Sequence, residues 1–166
     1  TAAGTTLVKD IVSGSSGSNP IPLANVNGTL FFSADDGTNG FELWSMPVNS
    51  RPQLTAFAAA VNTTTVDTEV ELTFAEFLAQ GDESDADGTV DAFIVQAVSS
   101  GTVKIGMSPG SATAFAAGSN DKIDATHNAY WTPAGNANGN AIAAFTVLAQ
   151  DNIGDNSILP VMAAVN

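Results

Sequence analysis

LANVNGTLFFSA, residues 23–34, sets Asn27-Gly28 between two apolar runs. A two-residue type I′ turn needs positive φ at both central positions, and Asn-Gly tolerates it best. The dipeptide therefore predicts a β-hairpin, with Leu23–Val26 paired to Thr29–Ala34. Downstream, DDGTNG (35–40) reads as a second turn and Glu42–Met46 as a further short strand. Upstream, GSSGSNP (14–20) reads as a loop and Leu7–Val12 as an apolar strand. Residues 1–48 thus form a predicted β-meander. Pro47 and Asn49-Ser50-Arg51-Pro52 mark a linker.

Beyond the linker the same two-residue period returns. Val70, Leu72 and Phe74 fall on one side, Glu69, Glu71 and Thr73 on the other. Leu159, Val161, Ala163 and Val165 alternate likewise. Further candidate strands lie near Leu54–Val61, Ala92–Val98, Thr102–Ile105, Ala112–Phe115, Ala129–Thr132 and Ile142–Ala149. Such patterning with frequent turn signals predicts an all-β chain, an antiparallel β-sandwich over 53–166 preceded by the short meander. FAEFLAQG (74–81) is the one helical candidate, a turn or two ending at Gly81.

Charge narrows the function classes. Seventeen Asp and Glu face four Lys and Arg, a net charge of −13. Like-charge repulsion argues against nucleic acid and anionic membranes as partners. Lys9, Arg51, Lys104 and Lys122 are scattered and form no basic patch. A hydrophobic share of 44% supports a core, so the acidity is not that of a disordered tail. The absence of cysteine excludes disulfides and thiolate metal sites. No apolar run reaches the 18 residues of a transmembrane helix, so membrane insertion is not expected. The chain opens at Thr1 without Met, which suits a processed form or a piece of something longer.

The acids are not evenly spread. Nine lie between Asp67 and Asp91, and GDESDADG (81–88) packs Asp82, Glu83, Asp85 and Asp87 together without a nearby cation. Carboxylates so close repel unless something positive sits among them. Calcium takes six to eight oxygens, and Asp-x-Asp-Gly turns supply them. Aligned as an EF-hand, Glu83, Asp85, Asp87 and Gly88 occupy positions 1, 3, 5 and 6. Position 12 is then Ile94, where a bidentate Glu belongs, so that motif is rejected. The expectation is a calcium site on a sandwich loop. Asp82, Asp85 and Asp87 are its ligands, with backbone carbonyls and Asp67 or Glu69 completing the shell. A plain solvated acidic loop is the alternative. Asp151 and Asp155, flanking Gly154, form a weaker candidate that reads better as a hairpin turn. Asp35-Asp36-Gly37 also reads as a turn.

Little else carries chemistry. His127 is the only histidine and reads as a turn or strand-edge residue before Tyr130-Trp131. The serines of 13–18 lack a G-x-S-x-G elbow. No phosphate-binding glycine loop occurs. The chain is therefore not expected to be an enzyme. Trp131 and Tyr130 could serve as a stacking platform for a surface carbohydrate, against the plainer reading of a core Trp. Asn27-Gly28-Thr29 and Asn62-Thr63-Thr64 match a glycosylation pattern that is short and frequent by chance.

Two family resemblances complete the reading. Gly4-Thr5, Leu7–Ile11, Val26–Phe32, Asp35–Gly37 and Glu42–Trp44 resemble the bacterial ELW-x-S-D-G-T repeat, over about a quarter of the chain. Ser45-Met46-Pro47 departs from it where S-D-G-T would stand. Asp67–Val70, Asp82–Gly88, Ser100–Thr102, Tyr130–Pro133 and Ala149–Asn152 are similar, in order, to cadherin-like and bacterial Ig-like tandem domains of large secreted adhesins. The second resemblance implies a Greek-key sandwich, often calcium-stabilised, acting outside the cell or at its surface as a spacer or adhesive module. Its implied partners are neighbouring repeats or other copies of itself, possibly head-to-tail. A lone repeat with open edges invites such pairing.

Overall fold

The structure is a computed structural model that describes residues 8–166. It is all-β and divides into two compact units, unit 1 up to Asn49 and unit 2 from Ser50 to Asn166. Unit 1 is one antiparallel sheet of β1 (Ile21–Val26), β2 (Thr29–Asp35) and β3 (Phe41–Pro47), in that order. The hairpin forms where the sequence demands it. Asn27 has φ 49° and Gly28 φ 75°, both positive as a type I′ turn requires. A bulge between Pro22 and Ala24 breaks the register of β1, where proline has no N–H to give the ladder.

Residues 8–13 are not a strand. Leu7, where the predicted strand begins, lies outside the described residues. Ile11 is half-buried at one face of the sheet, where with Pro22, Leu30, Phe32 and Met46 it lines a groove of about 400 Å³ that the largely exposed Val8 edges. The segment is apolar because it partly covers a face, not because it pairs. Lys9 places its ammonium 4.9 Å from the Trp44 ring centre, and Trp44 Nε1 donates to the Ala34 carbonyl.

Unit 2 is a two-layer sandwich. Its elements are β4 (Val70–Leu72), α1 (Phe74–Gln80), β5 (Val90–Val98), β6 (Thr102–Gly106), β7 (Thr113–Ala114), β8 (Lys122–Asp124), β9 (Asn128–Thr132), β10 (Ile142–Asp151) and β11 (Val161–Val165). One sheet runs β11-β10-β5-β8, the other β4-β9-β6-β7. The chain crosses from sheet to sheet at most connections, as in a Greek key. The alternating residues fill the gap between layers. Leu72, Trp131, Val103 and Ile105 of one sheet meet Phe93, Val95, Phe145 and Val147 of the other in one buried cluster. Phe77 of α1 completes it, with ring centres 5.1 Å from Phe93 and 6.1 Å from Phe145. Each such buried ring contributes roughly 1.5–3 kcal/mol by area, and an aromatic pair about 0.5–1.5 more.

The helix forms because Thr73 and Glu76 make a capping box. Thr73 Oγ1 accepts from the Glu76 N–H, and Glu76 Oε2 accepts from the Thr73 N–H at 2.7 Å. Leu54–Val61, expected as a strand, instead makes one isolated bridge, at Phe57, with two more just outside it at Gln53 and Asn62, among the described residues. Its partners there are a loop, the end of α1 and the tip of β11, none of which offers a continuous ladder.

Candidate functional site

The acidic stretch leaves α1 at Gly81 and runs to β5 along one margin of unit 2. Gln53 and Ser84 exchange both backbone hydrogen bonds, at 2.8 and 3.0 Å, so the leading segment of the unit is tied to the loop. Asp82 strengthens that tie. Its Oδ1 accepts from the N–H groups of Thr55 (2.8 Å) and Ala56 (3.0 Å), and its Oδ2 from the Thr55 hydroxyl. The Thr55 hydroxyl and these two N–H groups hold the Asp82 carboxyl at about 2, well below its usual value. Asp87 does the same one turn on, accepting from the Ser50 N–H with both oxygens, at 3.2 and 3.0 Å.

Of the three expected ligands, Asp82 and Asp87 therefore face backbone N–H groups of residues 50–56. Asp85 differs. Its Oδ1 accepts from the Asp87 N–H at 3.3 Å, while its Oδ2 is sealed from solvent without a hydrogen-bond partner. That oxygen and Asn152 Oδ1 converge over Gly88, where a Cβ would lie 2.7 Å from Asp85 Oδ2 and collide with the Asn152 oxygen. Asn152 is fixed there by Thr89: its N–H donates to the Thr89 carbonyl at 3.0 Å, and its Oδ1 accepts from the Thr89 N–H at 3.3 Å. Glu83 folds back over Gly81, and burial pushes its carboxyl above the usual range. Its Oε2 is also sealed and unpartnered. Among the described residues, no three acidic or histidine side chains are grouped to hold a metal. What the loop brings together over Gly88 is one orphaned carboxylate oxygen, from Asp85, and one amide oxygen, from Asn152.

The other expected contributors lie elsewhere. Asp67 Oδ1 accepts from the Asn136 N–H at 2.9 Å, and Glu69 pairs with Lys104 at 2.8 Å. Asp151 is buried at the base of a hairpin turn, its Oδ1 accepting from the N–H groups of Ile153 and Asp155. Asp35 and Asp36 close their turn in the same manner, through Gly37, Thr38 and Asn39. His127 sits in the turn after β8, its Nδ1 3.2 Å from Asp124 Oδ1. The Asn62 amide donates to the Glu71 carbonyl and to Glu76 Oε1.

The stacking platform is overturned. Trp131 is 0% exposed and Tyr130 1%, because β9 lies inside its sheet and turns Trp131 into the core. Trp131 Nε1 donates to the Ser100 carbonyl at 2.8 Å, and the Tyr130 hydroxyl donates to Glu71 Oε1 at 2.9 Å. A hollow of about 260 Å³ lies beside Trp131, edged by Thr64, Thr65, Asn138 and Asn166. No local signal announces the Asn152–Asp85 meeting, since 67 positions separate the two residues.

No protein family, no curated protein and no solved structure matches this chain. No helix among the described residues is long and apolar enough to cross a membrane.

Proposed function

We propose that the chain is a non-catalytic structural and adhesive β module of a bacterial surface protein, working outside the cell. It serves as one link of an adhesin stalk or as a subunit of a self-assembling filament joined by strand exchange. Calcium stiffens it at the acidic margin of unit 2. The observation that supports this reading is the sealed, unpartnered Asp85 Oδ2 beside Asn152 Oδ1. A hard divalent cation takes such oxygens, and backbone carbonyls would complete its shell. The ion would also relieve the repulsion among Asp82, Glu83, Asp85 and Asp87.

Thermal unfolding in millimolar calcium and in EDTA tests the calcium part. At a hundredfold excess over its dissociation constant, calcium should add about 2.7 kcal/mol. Asp85→Asn should abolish that gain. Equal midpoints with and without calcium would remove the ion from the account. Electron microscopy of the same sample separates the two assemblies: linear particles mean a filament, single particles a stalk link.

A further inference from the structure

We infer that two copies of this chain join edge to edge, β3 of one running antiparallel to β3 of the other about a two-fold axis at Leu43. The inference rests on the reading of a self-associating module and names the strand and register by which it associates. Hydrogen-bond alternation assigns the free groups. Val26 and Thr29 flank the two-residue turn as a hydrogen-bonded pair, so Leu30, Phe32 and Ala34 turn their backbone groups toward β3. Met46, Trp44 and Glu42, opposite them, turn theirs toward β2. The Val48 N–H keeps to the same alternation, donating to the Gly28 carbonyl at 2.6 Å. The N–H and C=O groups of Phe41, Leu43 and Ser45 therefore point out of the sheet. No backbone group among the described residues bonds to them. The other outer strands are guarded. β1 carries Pro22 and a bulge, β4, β7 and β8 are two or three residues long, and β11 is met by Asn62. β3 runs seven residues, keeps one register with β2 and has its only proline at its end.

The strand is complementary to itself. With Leu43 on the axis, Leu43 exchanges both backbone bonds with its own copy, and each Phe41 does so with the other chain's Ser45. That makes about six bonds and leaves none of these groups free. Pro47 then falls beyond the ladder opposite Asn39, whose N–H already goes to Asp36 Oδ1. On one face Leu43, 68% exposed, meets its own copy. On the other face Glu42 stands across from Trp44 of the second chain. Both Glu42 oxygens are sealed from solvent without a hydrogen-bond partner, and the Trp44 ring carries the Lys9 ammonium 4.9 Å from its centre. The axis thus sets the one cation of unit 1 across from an unpartnered carboxylate, once in each direction. The pairing joins two three-stranded sheets into one continuous sheet.

Main-chain bonds, more than area, hold an added strand, so the pair is reversible. Equilibrium sedimentation in EDTA, from about 10 µM to about 1 mM, reads it without calcium. The mass should climb from one chain toward two and stop there. Ser45→Pro removes an edge N–H that β2 does not use, and edge strands accept proline. It should weaken pairing at least about tenfold with the circular dichroism unchanged. Disulfide linking reads the register, since the chain has no cysteine of its own. Leu43→Cys chains should link to one another in a glutathione buffer. Ile158→Cys chains, altered at an exposed position of unit 2, should not. Phe41→Cys and Ser45→Cys chains should link when mixed, and neither alone. A parent chain that stays single at about 1 mM overturns the inference. So does growth past two chains, pairing indifferent to Ser45→Pro, or Leu43→Cys linking no better than Ile158→Cys. Each of these failures leaves the stalk-link reading standing, and a calcium-blind melt leaves this pairing untouched.

Discussion

Unit 1 and unit 2 are both antiparallel β, yet they solve burial in opposite ways. Unit 2 closes two sheets on each other and buries Trp131, Phe77, Phe93 and Phe145 completely. Its edges are blunted. β4, β7 and β8 are two or three residues long, and the free side of β11 is met by Asn62. Unit 1 has one sheet, and Ala34 is the one fully buried apolar side chain among its described residues. Its outer strands, β1 and β3, run six and seven residues. The difference teaches where stability resides. A second layer, and not strand pairing alone, removes apolar surface from water.

Removing a ring from the layer between the sheets tests that lesson most severely. Phe93→Ala takes away contacts to Phe57, Phe74 and Phe77 and should cost about 3–5 kcal/mol in urea unfolding. A cost below about 1 kcal/mol would break the comparison. Gly101→Ala comes next. Gly101 has φ 70°, and a Cβ there would strike the Thr132 carbonyl, so a loss above about 1 kcal/mol is expected. Hydrogen exchange sharpens the contrast without a mutation. Amides of β5 and β10 should exchange at least about a hundredfold more slowly than those of β1, which is exposed along its whole length. Equal protection would mean that unit 1 is covered in solution.

Acid titration gives the smallest effect. The Asp82 carboxyl titrates at about 2 when folded and near 3.9 when unfolded. The unfolded chain binds that proton more readily, so its stabilisation is full above about pH 4 and fades as pH falls toward about 2. Glu83 works the other way. Burial raises its folded value, so its penalty is present at neutral pH and is relieved as pH falls through that value. Asp82→Asn should flatten the acid limb of a urea-midpoint profile, and Glu83→Gln should raise the midpoint slightly at neutral pH. A profile unchanged by either would detach both carboxyls from the fold.

Local signals explain what the sequence made legible. Asn27-Gly28 fixes a backbone geometry with two residues, and FAEFLAQG (74–81) stands out as the one helical candidate. Alternation places Leu72, Ala163 and Val165 inward, as they stand, but it also includes Leu159, which is 70% exposed ahead of β11. β8 was missed because only Ile123 of its three residues is buried, too short a pattern to show. Residues 8–12 and 54–61 were overread because an apolar segment that covers a face looks like one that pairs. The acidic loop shows the same limit. Its charge was plain, but which carboxylates face N–H groups depends on residues 50–56, some thirty positions away.

Those N–H groups bear on how unit 2 would answer a pull on its two ends. Its two ends are fastened to each other: Val61 donates to the Ala164 carbonyl, Asn166 to Asn62, and Thr64 to Asn166, with the two segments running parallel. Tension pulling Ser50 and Asn166 apart draws parallel neighbours in opposite directions, so these three bonds are strained together in shear and cannot open singly like a zip. Before that tension reaches Val61 it must also strip Asp87 from Ser50 and Asp82 from Thr55 and Ala56. The carboxylates that crowd the loop are thus the first rivets in the line of pull.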